Sequence, residues 1–175
     1  MAVNFDVRKR RIFKLKATAA IARLMVSKAY RQPLQAPSCE PDDPPGLVHR
    51  TFRYRDGREV KVKCHAKVMV GLLKAMRKEP GIEVTASYDS PYSGSYRTWD
   101  QQNWLYQRYL NGGPRAASPC RGYHRQGRAL DLLNNTPAED QAMASVRVRD
   151  GLRHLKFYHG AAFGDPRHWT LGALG

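Results

Sequence analysis

Apolar residues recur at helical spacing over residues 15–30, where Leu15, Ala19, Ala22, Met25, Val26 and Ala29 line up, and again over 65–78, where Val68, Leu72, Leu73 and Met76 share a face. Between these helices the period falls to two. Residues 47–54 and 59–64 alternate around Arg55-Asp56-Gly57-Arg58, and Asp-Gly between alternating runs predicts a hairpin turn. Pro80-Gly81 stops the second helix, after which Ile82-Glu83-Val84-Thr85-Ala86 alternates as a strand does. Thr98 and Gln101 form a capping-box signal for a helix over 99–110, which Asn111-Gly112-Gly113-Pro114 ends. Its Trp104, Leu105 and Tyr109 are expected in the core rather than as an exposed binding platform. The short apolar run 129–133 predicts a central strand, and Thr136-Pro137-Ala138-Glu139 opens another helix. Leu152, Leu155 and Phe157 fall in a helix end or a strand, and Phe163 and Trp169 in the final strands. This order of elements predicts an α+β fold with a small antiparallel sheet and flanking helices.

Residues 32–46 break the pattern with five prolines and mostly acidic charge, which reads as a linker or extended surface loop. They divide the chain into a basic helical arm with its linker, 1–46, and a domain, 47–175. The arm carries Arg8-Lys9-Arg10-Arg11, and its apolar stripe is expected to dock on the domain or on another subunit, with a membrane surface or nucleic acid as the functional alternatives. The whole chain of 175 residues has 30 Lys and Arg against 15 Asp and Glu, a formal net charge of +15. Such an excess implies an anionic partner: nucleic acid, an acidic lipid surface, or the phosphate and carboxylate groups of a bacterial wall. Nucleic acid has the charge in its favour but no recognition motif. Cys39, Cys64 and Cys120 make no complete disulfide framework and no Cys-x-x-Cys pair, so reduced thiols are expected, with a Cys120 nucleophile beside His124 as the lesser alternative. The first residues hold no apolar signal core, and no run approaches the length of a transmembrane segment, so synthesis in the cytoplasm is expected.

The chemistry gathers near the C-terminus. Cys120-Arg121-Gly122-Tyr123-His124 leads through Gly127 into Ala129-Leu130-Asp131, so a loop supplies a histidine and a buried run supplies a carboxylate. A buried Asp131 is costly unless a metal or hydrogen bonds hold its charge. Asp165-Pro166-Arg167-His168 offers a second histidine and a second carboxylate. Three ligands, His124, Asp131 and His168, leave a fourth position open on a divalent metal, with Asp165 as the spare carboxylate able to take a proton. His65 opens a helix without a partner at matching distance, and His154 and His159 read as structural or surface residues.

The pattern His124, Gly127, Ala129, Asp131, followed downstream by an acidic residue and, three positions on, a histidine, resembles the zinc D-alanyl-D-alanine carboxypeptidases and L-alanyl-D-glutamate endopeptidases, a family that includes vancomycin-resistance peptidases and phage endolysins. Gly94-Ser95-Tyr96-Arg97-Thr98 with Gln102 resembles that family's Gly-Tyr-Arg turn and helical glutamine, and the likeness covers roughly residues 65–170. It implies a metallopeptidase-like fold in which His124, Asp131 and His168 bind zinc, Asp165 is the general base, and Arg97 holds the substrate and the developing oxyanion. Asp165 stands where the family usually has glutamate, and Arg167 where it usually has tryptophan. The expected activity is hydrolysis of peptidoglycan stem peptides at the cell wall. The alternative is a phage structural or tail-associated protein, its basic arm binding an anionic wall polymer or another phage structural protein.

Overall fold

Val68, Leu72, Leu73 and Met76 become the buried face of α3 (Ala66–Lys78) in the computed structural model, which describes residues 7–32, 39, 42–90 and 92–173. His65 caps this helix by accepting the Lys67 N–H, while Arg77 and Lys78 sit in the last turn, where the helix dipole favours positive charge. Ahead of α3 lie α1 (Val7–Val26), α2 (Lys28–Arg31), β1 (Leu47–Arg53) and β2 (Glu59–His65). β1 and β2 pair antiparallel from Leu47 opposite His65 to Arg53 opposite Glu59, the hairpin that Asp56-Gly57 predicts. Beyond α3 come α4 (Trp99–Leu110), β3 (Ala129–Asp131), α5 (Pro137–Ala144), β4 (Arg147–Asp150), β5 (Arg153–His159) and β6 (His168–Ala173). The last four strands make an antiparallel sheet in the order β3-β6-β5-β4, so the architecture is α+β, a small sheet flanked by helices. One core joins α3 to the sheet through Val148, Leu155, Phe157 and Leu171. Among the described residues no helix is long and apolar enough to cross a membrane.

Both capping boxes form as expected, with Thr98 and Gln101 closing the start of α4, and Thr136 and Glu139 that of α5. Four other expectations need correction. In α1 the face turned inward is Phe13, Ala17, Ala20, Ile21 and Leu24, while Leu15 is 64% and Val26 73% exposed. The expected stripe is two residues out of register, a rotation of roughly 200° on a helix, and the bulk of Phe13, Ile21 and Leu24 decides which side packs. Residues 82–86 alternate in burial, with Ile82 and Val84 inside, but pair only through a single bridge from Val84 to Leu132. β3 is shorter than the run 129–133 and lies at the end of its sheet rather than the centre; its free side is covered by Gly94 and the 83–85 segment, through Asp131 N–H to Gly94, Thr85 N–H to Asp131 and Leu133 N–H to Glu83. In α4 only Gln102 is buried, and Trp104 and Tyr109, expected in the core, are 44% and 41% exposed.

The cysteines also depart from expectation. Cys39 and Cys120 are disulfide-bonded across 81 positions, and Cys64 is the buried free thiol. A thiol pair so far apart in sequence carries no local spacing signal, and the bond removes Cys120 as a nucleophile. Much of the proline-rich stretch, 33–38 and 40–41, lies outside the described residues. In the chain-entropy treatment a loop of this size is worth roughly 4.5 kcal/mol. Denaturing without reductant should therefore expose one titratable thiol per chain, and Cys39→Ser should lower the urea-unfolding free energy by up to about that amount. Three reactive thiols in the unreduced, denatured protein would contradict the bond.

Candidate metal centre

Three backbone features bring the site together. In the ladder between β3 and β6, Asp131 stands directly opposite His168, so the pleat presents the two side chains side by side. Gly94 holds Asp131 from the other edge, accepting its N–H at 2.7 Å, and a Cβ there would sit 2.1 Å from Thr85 Oγ1 and 2.9 Å from the Asp131 carbonyl. His124 enters on the turn before β3, closed by Gly127 N–H donating to the His124 carbonyl at 2.9 Å. Gly127 has φ of +63°, in the left-handed region, and a Cβ would approach Leu47 Cδ2 to 2.5 Å. These are the physical reasons for glycine in both motifs.

His124 Nε2, His168 Nδ1 and Asp131 Oδ1 converge, at 3.0 Å from each imidazole nitrogen to the carboxylate oxygen and 3.2 Å between the two nitrogens. His124 is 4% and His168 8% exposed. Protons are scarce here. His124 Nδ1–H donates to the Ser95 carbonyl at 2.6 Å, which leaves Nε2 as a lone pair. His168 Nε2 lies 2.7 Å from Thr170 Oγ1. When Nε2–H donates to that hydroxyl, Nδ1 is also a lone pair, and three acceptors face one point. A cation, or one proton carried by either imidazole and shared with Oδ1, relieves that arrangement. A tetrahedral ion with ligands at about 2.0–2.2 Å would set them roughly 3.3–3.6 Å apart, so opening the triangle by a few tenths of an ångström fits a divalent metal. The Ser95 carbonyl and Thr170 hydroxyl are the outer partners that fix ring orientation in such a centre.

Arg97 takes the other face of the carboxylate, donating from Nη2 to Asp131 Oδ2 at 3.1 Å and from Nε to the Ser93 carbonyl at 2.9 Å. Its Nη1 lies 3.5 Å from Gln102 Oε1, and Gln102 Nε2 donates to the Ala117 carbonyl. Burial works to raise the Asp131 carboxyl; a proton on His124, through its charge and hydrogen bond, a hydrogen bond from His168, and the charge of Arg97 act against it and hold the group well below the usual range, so when both rings are neutral the Arg97 charge is the counterweight that remains. Burial, then the positive charge of Arg97, pushes His124 down, towards the neutral imidazole that ligates metals.

Asp165 does not join the three. It follows the 3-10 turn Gly160–Phe163, where its N–H donates to the Gly160 carbonyl and its own carbonyl accepts from His168 N–H at 3.2 Å. The carboxylate is exposed, and its charge reaches Arg97. His65 is buried as the cap of α3, His154 is exposed, and His159 stacks on Trp169 at 4.4 Å between centroids. Thr170, two residues after His168 on the same face of β6, escaped the sequence reading, although strand alternation signals such a partner. Compared with family models, curated proteins and solved structures, the chain matches none.

The triad should hold one divalent ion per chain. Titrating zinc into metal-free protein at 100 times its dissociation constant should stabilise the fold by about 2.7 kcal/mol, seen as a rise in Tm. Asp131→Asn and His168→Ala should abolish that rise, whereas Thr170→Val should weaken binding by about 10- to 100-fold. A Tm indifferent to zinc in the wild-type chain would rule the site out.

Proposed function

We propose that the chain is a zinc-dependent hydrolase of peptide bonds, with peptidoglycan stem peptides as the substrate class and the cell wall as its place of action. The observation that carries the metal-dependent part is the convergence of His124 Nε2, His168 Nδ1 and Asp131 Oδ1 on one buried, proton-poor point. The substrate rests on the motifs around Arg97, His124, Asp131 and His168, which follow one another in the order of the wall peptidases they resemble.

His124, Asp131 and His168 would hold zinc, and the ion would supply Lewis acidity toward the scissile carbonyl. Arg97 keeps Asp131 ionised and aimed, and the Nη1 that meets only Gln102 at 3.5 Å has donor capacity left for a substrate carbonyl or the charge that develops on it. Asp165 takes the proton of the attacking water and passes it to the leaving amine. Its side chain is one methylene shorter than glutamate, about 1.5 Å of reach, and a base must come within roughly 2.6–3.2 Å of the proton donor. The exposed position of Asp165 outside the triad favours the second reading, a phage structural or tail-associated protein that keeps the ion without turnover.

Mass spectrometry of fragments from defined muropeptides separates the two. The wild type should release cleaved stem peptides, and Asp165→Asn should retain zinc and fold while slowing release by about 100-fold or more. Equal rates for the wild type and Asp165→Asn, both fully loaded, would remove Asp165 from the chemistry. A zinc-loaded wild type and Asp165→Glu that both leave every muropeptide intact would establish the non-catalytic reading.

A further inference from the structure

Seven of the described acidic residues form ion pairs with Lys or Arg, and these pairs gather in a few places. Asp43, Asp56, Glu59, Glu83, Asp89, Asp131 and Asp150 pair with Lys63, Arg58, Arg53, Lys61, Arg97 and Lys67 on the hairpin, at the metal centre and under α2. None of these pairs reaches the face that carries α1, and the helix itself holds no Asp or Glu over Val7–Val26. A groove runs along each flank of α1. The first, of about 350 Å³, is lined by Lys14, Lys74, Arg77, Lys78 and Arg147 with Ser145 and Val146. The second, of about 390 Å³, has Lys16, Arg23, His49 and Arg50 among Ala19, Ala20, Leu24, Val48 and Met69. Among the described residues no carboxylate lines either one.

Local hydrogen bonds account for part of the first cluster. Lys74 Nζ donates to the Arg147 carbonyl, Lys78 Nζ to Ser145 Oγ, and Arg147 Nη1 to the Ala144 and Val146 carbonyls. The C-termini of α3 and α5 together offer roughly one unit of negative charge, about half a unit each, against five formal positive charges. An excess of about four remains. The same bonds hold Lys74, Lys78 and Arg147 in place ahead of any ligand, while Lys14 and Arg77 make no side-chain hydrogen bond or ion pair among the described residues. Burial and then the neighbouring charge of Arg77 push Lys74 down. Among the described residues the two grooves contain no Phe, Tyr or Trp, so none of these offers a stacking platform for a nucleobase.

We infer that the face around α1 binds a linear phosphate chain without bases, which lies in both grooves and crosses the helix between them. This site is separate from the metal centre and does not depend on what that centre does. It assigns a partner to the arm by charge: phosphates regularly spaced along a flexible backbone, met by hydrogen-bonded cations in one groove and by Lys16, Arg23 and Arg50 in the other.

The test uses the full chain and labelled inorganic polyphosphate, with affinity measured across a salt series. The logarithm of affinity should fall linearly with the logarithm of salt concentration, and Lys14→Gln/Arg77→Gln and Lys16→Gln/Arg23→Gln should each flatten the slope by about 1.4, two contacts at roughly 0.7 each. Those four side chains make no described hydrogen bonds, and an unchanged Tm checks that the variants fold. A slope untouched in both variants overturns the site, and a slope flattened in only one overturns the path through both grooves. Duplex DNA of equal charge that binds tighter than polyphosphate overturns the base-free ligand.

Discussion

One carboxylate oxygen organises the site. Asp131 Oδ1 faces two imidazole nitrogens, each at 3.0 Å, while Oδ2 takes the Arg97 guanidinium at 3.1 Å. A carboxylate with no hydrogen-bond donor would pay heavily for such a place, and two neutral imidazoles that turn lone pairs toward it would add repulsion. The local backbone follows from that constraint. Asp131 must sit opposite His168, so β3 and β6 are held in that one register. The edge of β3 must be closed without crowding Thr85 and the Asp131 carbonyl, and Gly94 closes it with no side chain of its own. Arg97 must arrive from the same segment, so Gly94 through Arg97 delivers an edge partner, the acceptor for His124 and the guanidinium within four residues.

Much of this was legible in the sequence, because the chemistry is concentrated in residues whose type is costly to misplace. His124, Asp131 and His168 are brought within 4.8 Å of one another, and the histidines set aside as ligands, His65, His154 and His159, lie elsewhere as cap, surface residue and stacking partner. What sequence spacing does not encode is orientation. The acceptor for His124 is a backbone carbonyl, that of Ser95, and a carbonyl is present at every residue. For α1 the spacing is helical on two opposite sides, and only the bulk of what packs against α3 chooses between them. For α4 the aromatic residues that read as core remain outside because Gln102 takes the one inward position, toward Arg97 and the Ala117 carbonyl. A polar side chain that belongs to the site here displaces the hydrophobic face that composition leads one to expect.

The division of charge follows the same logic. Several acidic residues pair with cations on the hairpin and at the metal centre, where Arg97 takes the outer oxygen of Asp131. The surplus cations collect on the opposite duty, at helix C-termini and along α1, where backbone carbonyls welcome them up to a point. Net charge of +15 is thus not spread evenly, and the site and the basic face obey different electrostatics within one chain.

The segment ahead of the hairpin ties arm and site together physically. Arg125, beside His124 and only 1% exposed, donates to the Tyr96 hydroxyl at 3.1 Å and to the Asp42 carbonyl. Tyr96 donates in turn to the Asp43 carboxylate, which also pairs with Lys63 at 2.7 Å, and Cys39 is bonded to Cys120 just before the turn that carries His124. A buried guanidinium is stable only when its donors are met, and some of the acceptors here come from residues that the sequence places in a linker. Composition marks 32–46 as a boundary because proline and acid break periodicity. Within it, Cys39, the Asp42 carbonyl and the Asp43 carboxylate reach Cys120, Arg125, Tyr96 and Lys63, next to the segments that carry His124 and Arg97. A break in sequence pattern therefore need not be a break in the cooperative structure: the pattern reports which residues cannot join a helix or strand, and says nothing of which buried charges they serve.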